Sequence, residues 1–172
     1  MIMNKIMSIK TKLILLTIII IIMVITYFYF ILRDTSKDVS MEVPYDKVMN
    51  KNFTSLQSSI LIENSTLHFV KEYPKELNDF ENIDTSRVSH IIVPESSIFK
   101  FHKALQIKNA VSGITRSYLL GEVNLAESNK SYVIIYSWGI LNENHFQEQD
   151  DFWDYKKAPW QIKKFNKRYA NK

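Results

Sequence analysis

The sequence predicts an α+β protein with one N-terminal transmembrane helix, followed by a single domain in which an amphipathic helix packs on a curved antiparallel sheet, a meander. Three observations predict it. Residues 13–32 form an apolar run without a charge, apolar side chains recur at helical spacing from Tyr45 to Ile60, and the second half consists of β-rich segments separated by short turn sequences.

Residues 13–32 are interrupted only by Thr17 and Thr26. Twenty helical residues span about 30 Å, the thickness of the hydrocarbon core of a bilayer. The run continues through Tyr27, Phe28, Tyr29 and Phe30 with no small-residue cleavage pair, so the expectation is an uncleaved signal-anchor rather than a removed leader. Lys5, Lys10 and Lys12 precede the span, whereas only Arg33 and Lys37 follow it closely. By the positive-inside bias, residues 1–12 then form a short cytoplasmic tail and the rest lies across the membrane. Tyr27 and Tyr29 suit the interfacial aromatic belt at the far side. Lys-, Ile- and Asn-rich but Arg- and Gly-poor usage fits an AT-rich bacterial genome, which makes the expected location a cell inner membrane with a periplasmic domain.

Residues 33–43 are polar and of mixed charge, and read as a tether. Residues 44–172 read as the extracytoplasmic domain. Pro44 suits a first helical turn, and Tyr45, Met49, Phe53, Leu56 and Ile60 follow at steps of four, four, three and four. Residues 65–73 fit a strand stopped by Pro74, residues 74–80 one or two helical turns, and residues 82–86 a loop. Strands are expected over residues 88–93, 98–108, 114–125 and 131–140, the last three joined by turns short enough for antiparallel neighbours. In the second of these, Phe99, Phe101, Leu105 and Ile107 are expected on one face against Lys100, His102 and Gln106. Residues 132–138 are apolar on both faces and belong at the centre of the sheet. After Pro159 the pattern suits a helix with Ile162, Phe165 and Tyr169 on one side, and equally an alternating strand from Trp160.

The formal charge of +4 comes from Lys5, Lys10, Lys12 and Arg33; from Asp34 onward the chain has 18 cationic and 18 acidic side chains. The basic balance therefore belongs to the membrane segment and gives no reason to expect nucleic acid. The absence of cysteine excludes disulfides and thiolate chemistry. His68, His90, His102 and His145 are scattered without metal-ligand spacing, and three glycines at positions 113, 121 and 139 make no phosphate loop. No catalytic, cofactor or metal residues are expected. The acidic run Glu148, Asp150, Asp151 and Asp154 has oxygens enough for Ca²⁺, but without the glycine of a calcium loop it reads as solvated.

Two surfaces remain. Asp150, Asp151, Phe152, Trp153, Asp154, Tyr155 and Trp160 place aromatics beside acids, and two adjacent aromatics in a strand point to opposite faces, so one of them is a candidate anchor for another protein. Lys156, Lys157, Lys163, Lys164, Lys167 and Arg168 form an acid-free basic stretch suited to anionic headgroups. The expected function is that of a membrane-anchored, non-enzymatic binding or assembly protein. Its partners are the bilayer, through residues 13–32, and a protein outside the cytoplasm, in an envelope or secretion complex or as the toxin countered by an immunity-type protein. The alternatives are a tethered periplasmic hydrolase using a Ser–Lys pair or acidic residues, and a lipid- or peptidoglycan-surface module.

Overall fold

The computed structural model describes residues 9–63, 72–79, 88–128, 130–142, 152–164 and 169–170. Among these residues, helix α1 (Ile9–Ile31) is followed by ten strands: β1 (Thr35–Asp38), β2 (Asn52–Thr54), β3 (Ser59–Glu63), β4 (Lys75–Asn78), β5 (His90–Val93), β6 (Ile98–Lys108), β7 (Thr115–Asn124), β8 (Ser131–Asn142), β9 (Phe152–Tyr155) and β10 (Tyr169–Ala170). The protein is thus one apolar helix and one open, mostly antiparallel mixed sheet, α+β in content. Within α1, the 21 residues Thr11–Ile31 are long and apolar enough to cross a membrane, and no other described element packs against them. Thr17 and Thr26 turn their hydroxyls onto the carbonyls of Leu13 and Ile22, at 3.0 and 2.8 Å, which hides both polar groups in the helix's own backbone.

Strands β6, β7 and β8 are the longest and pair in chain order, all antiparallel. Each outer edge of this trio is shared by two shorter strands. The start of β6 pairs with β2 and its end with β1. β8 pairs in parallel with β4 along Ile134–Tyr136 and antiparallel with β9 along Gly139–Asn142. From β4 the sheet continues to β3 and then β5, and β10 adds to β9. The apolar strand expected at the centre, residues 132–138, lies inside β8 between β7 and β4.

The main core lies on one face. Phe99, Phe101 and Ala104 of β6, Leu119 and Val123 of β7, and Ile134, Tyr136 and Trp138 of β8 are buried there. Tyr45 packs edge-on against Trp138 at 5.7 Å, and its hydroxyl accepts a 3.1 Å hydrogen bond from Tyr155. Trp160 packs among Phe53, Phe99, Phe101 and Tyr136, with ring centroids 4.8 to 5.8 Å away.

Several expectations are corrected. The amphipathic helix over residues 45–60 does not form; a single 3-10 turn, Tyr45–Lys47, gives way to β2 and the start of β3. Asn50 interrupts the segment in the left-handed region, at φ 56°, and its N–H donates to Phe101 O at 2.7 Å. Tyr45, Met49 and Phe53 recur at helical spacing because each reaches the same core from a different local conformation, whereas Leu56 stays exposed. Residues 33–43 are not a free tether: β1 is hydrogen-bonded along β6, and Val39 is fully buried. The turn expected after Pro74 is strand β4, tied to β8 and β3 by backbone pairing. Neither a helix nor a strand forms over residues 159–164, where a turn buries Trp160. The strand expected over residues 65–73 lies largely outside the described residues, as does the loop at 82–86.

Register in β6 carries the most consequential correction. Phe101 faces Gly121 and Lys103 faces Leu120, so His102 is an extra residue, a β-bulge. Alternation restarts one residue out of phase, because side chains change face at every step. Ala104 therefore joins the main core, while Leu105 and Ile107 turn to the opposite face. Gly121 makes the bulge possible: a Cβ there would lie 2.1 Å from the carbonyl oxygen of Lys100.

Candidate functional site

The second face of the sheet carries a smaller apolar cluster, Tyr73, Ile107, Tyr118, Leu120 and Ile135, with Leu105 packed against it. Beside it opens a cleft of about 850 Å³ between the connection that follows α1 and the sheet. That volume lies in the range of small-molecule sites, roughly 300–1,000 Å³. Its lining comes from Leu32, Arg33 and Asp34 after α1, from Lys103, Leu105 and Ile107 of β6, from Asn109 and Val111 of the hairpin, and from Glu72 and Tyr73 before β4.

Each wall has a local reason to be where it is. Only Leu32, Arg33 and Asp34 separate α1 from β1. Asp34 Oδ1 accepts the Ala110 N–H at 2.8 Å, which fixes that short connection to the β6–β7 hairpin. The hairpin is itself ordered by Asn109, whose Oδ1 accepts from the backbone N–H groups of Val111 and Ser112 at 3.1 and 2.8 Å. Gly113, at φ 70°, returns the chain and donates its N–H to Asn109 O at 2.9 Å. Val111 consequently stands 81% exposed at the mouth of the cleft. On the opposite wall the Tyr73 hydroxyl shares a 2.9 Å hydrogen bond with Nε2 of the bulged His102. Burial, followed by the neighbouring Glu72 carboxylate, raises the Tyr73 pKa above its ordinary value.

A polar lane adjoins the cleft on this face. Burial raises the carboxyl of Glu76 above its ordinary range, against the opposing pull of Lys156 and Arg116. Tyr118 is raised by the same desolvation, with Arg116 opposing. At the other margin, Ser40 donates both its N–H and its hydroxyl to Asp38 Oδ1, lowering that carboxyl, and the Ser40 hydroxyl oxygen accepts the Ala104 N–H at 2.9 Å. This relay fastens the end of β1 just past the bulge.

The surface expected to bind a protein is largely interior. Trp153, Tyr155 and Trp160 are core residues and Phe152 is half-buried, so the aromatic anchors expected there are not presented to a partner. They are buried because β9 pairs with the end of β8 and the turn after it folds Trp160 onto β6. Asp154 remains exposed and pairs with Lys164 at 2.8 Å. Lys156, Lys157, Lys163 and Lys164 are exposed, whereas Asp150, Asp151, Lys167 and Arg168 lie outside the described residues. Among the described residues no three His, Asp or Glu side chains converge as a metal site would require. His90 bonds its own Val88 carbonyl at 3.0 Å, and His68 and His145 lie outside the described residues.

Sequence reasoning missed the cleft because it assumed unbroken alternation through β6. The signal was there in the adjacent polar pair His102-Lys103 followed by the adjacent apolar pair Ala104-Leu105, a double break that a bulge explains. Comparison with protein-family models, with curated proteins and with solved structures finds no match to this chain.

Proposed function

We propose that this is a membrane-anchored binding and assembly protein, with α1 as a signal-anchor crossing the membrane and the sheet domain engaging another protein on the far side from the N-terminus. The observation that carries this reading is the junction. Four Cα-to-Cα steps from Ile31 to Thr35, at no more than about 3.6 Å each, place the start of β1 within roughly 14 Å of the helix end. The bond from Ala110 to Asp34 then brings the β6–β7 hairpin to that same level. A domain held this closely acts on what is at the membrane surface, where anchoring raises its effective concentration. Bulges at His102 in β6 and at Trp138 in β8 favour a curved meander, since each extra residue increases local twist. The bacterial inner membrane and periplasm fit the composition and the flanking lysines, and an envelope or secretion assembly or an immunity-type role fits that place.

With Trp153 and Trp160 interior, the protein-facing side chains are those left outside the same turn. Ile162 is 81% exposed, next to the Asp154–Lys164 pair. A photo-crosslinking amino acid at position 162 of the full chain in its native membrane is expected to give one discrete protein adduct, and the same group at Glu127 none. Equal, diffuse labelling from both positions contradicts the reading.

A further inference from the structure

We propose that the cleft between the end of α1 and the β6–β7 hairpin binds one aminophospholipid of the leaflet in which α1 ends, its phosphate held by Arg33 and Lys103 and an acyl chain lying on Leu105 and Val111. The inference rests on the anchored reading above, since it needs α1 in a bilayer.

The position comes first. Leu32 and Arg33 both line the cleft and directly follow the apolar helix, so its mouth lies at the level where headgroups meet acyl chains. Its chemistry matches that boundary. Leu105 and Ile107, turned to this face by the bulge, make an apolar floor, and the exposed Val111 extends it toward the helix. Arg33 and Lys103 supply two cations for a phosphate, and Arg33 in particular can offer paired donors to its oxygens. The acids on the cleft point to the rest of the headgroup. Asp34, fixed through Oδ1 by the Ala110 N–H, and Glu72 are the two carboxylates that line the cleft and can meet an ammonium. A charge-balanced wall with an apolar floor suits a zwitterionic lipid better than a soluble anion, which would leave the floor uncovered and Glu72 opposed.

The test uses the full chain reconstituted in phosphatidylcholine vesicles that contain a trace of phosphatidylethanolamine with a diazirine in one acyl chain. After flotation and illumination, adducts are mapped by mass spectrometry. The expected result is labelling along α1 and also at the half-buried Leu105 inside the cleft, with the Leu105 adduct competed away by unlabelled phosphatidylethanolamine. The double variant Arg33→Glu, Lys103→Glu is expected to lose about tenfold of the cleft labelling, the scale of a charged hydrogen bond, while labelling of α1 and the melting temperature are unchanged. A chain that floats but is labelled on α1 alone overturns the lipid site and leaves the anchor standing, and so does cleft labelling indifferent to the double variant. A chain that does not float with the vesicles overturns both.

Discussion

Trp160 separates a core residue from a partner anchor, and truncating it decides which it is. The indole is buried against four aromatic rings, those of Phe53, Phe99, Phe101 and Tyr136. An aromatic side chain of this kind buries about 150–250 Å², and at about 25 cal/mol per Å² its removal from water contributes roughly 4–6 kcal/mol as an upper bound. Trp160→Ala keeps the Cβ and leaves a cavity that relaxes in part, so the expected loss is about 4 kcal/mol. For a domain of this size each kcal/mol moves the melting temperature by about 3–4 °C, which predicts a drop of roughly 12–16 °C. Thermal melting of the full chain in detergent, followed by near-ultraviolet circular dichroism, measures it. Trp160→Phe should recover about half, and Ile162→Ala, exposed two residues later, should change stability by less than about 0.5 kcal/mol. A Trp160→Ala chain that melts within about 1 kcal/mol of the parent refutes the packing of this turn onto β6 and returns Trp160 to the surface.

Gly121→Ala is expected to cost about 3 kcal/mol in the same assay, because the new Cβ meets backbone, the Lys100 carbonyl, rather than a side chain that can move aside. Gly113→Ala, with open space around it but φ at 70°, should cost only about 1 kcal/mol, and the reverse order contradicts the bulge geometry. Glu76 gives a pH prediction. Burial raises its folded pKa above the ordinary 4.5, so the native chain holds this proton more tightly than the unfolded chain. Its contribution to stability therefore falls as pH rises from the ordinary value through the raised one, and stays lower above that window. Glu76→Gln should flatten this slope in urea titrations across that window and melt higher at pH 7; a lower melting point would mean that Arg116 and Lys156 outweigh burial.

What was legible in the sequence follows the length of each signal. β6, β7 and β8 have ten or more residues each, and runs such as residues 132–138 admit few competing structures. The long apolar helix was equally plain. The failures lie where a short segment satisfies two patterns. Tyr45, Met49 and Phe53 keep helical spacing only because a 3-10 turn, a left-handed Asn50 and a three-residue strand happen to deliver all three to one core. Residues 35–38 look like linker because β1 is an edge strand whose four side chains are all exposed, so its place in the sheet rests on backbone pairing that leaves no apolar pattern. The cleft was hidden by the phase change at His102. Trp153 and Tyr155 looked like surface anchors because their burial depends on the pairing of β9 with the end of β8, which no local window contains.

The central claim is that α1 spans a membrane and holds the sheet domain against its far surface. The chain has no cysteine, so single cysteines report position without background. Cysteines placed singly at positions 5 and 127 of the full chain, in sealed vesicles of known orientation, can be tested with a membrane-impermeant maleimide. The account predicts that position 127 reacts only from the side corresponding to the cell exterior and position 5 only from the cytoplasmic side, each on an intact chain whose mass still includes residues 1–32. Reaction of both positions from the same side, or a mature chain that begins after residue 32, would contradict it.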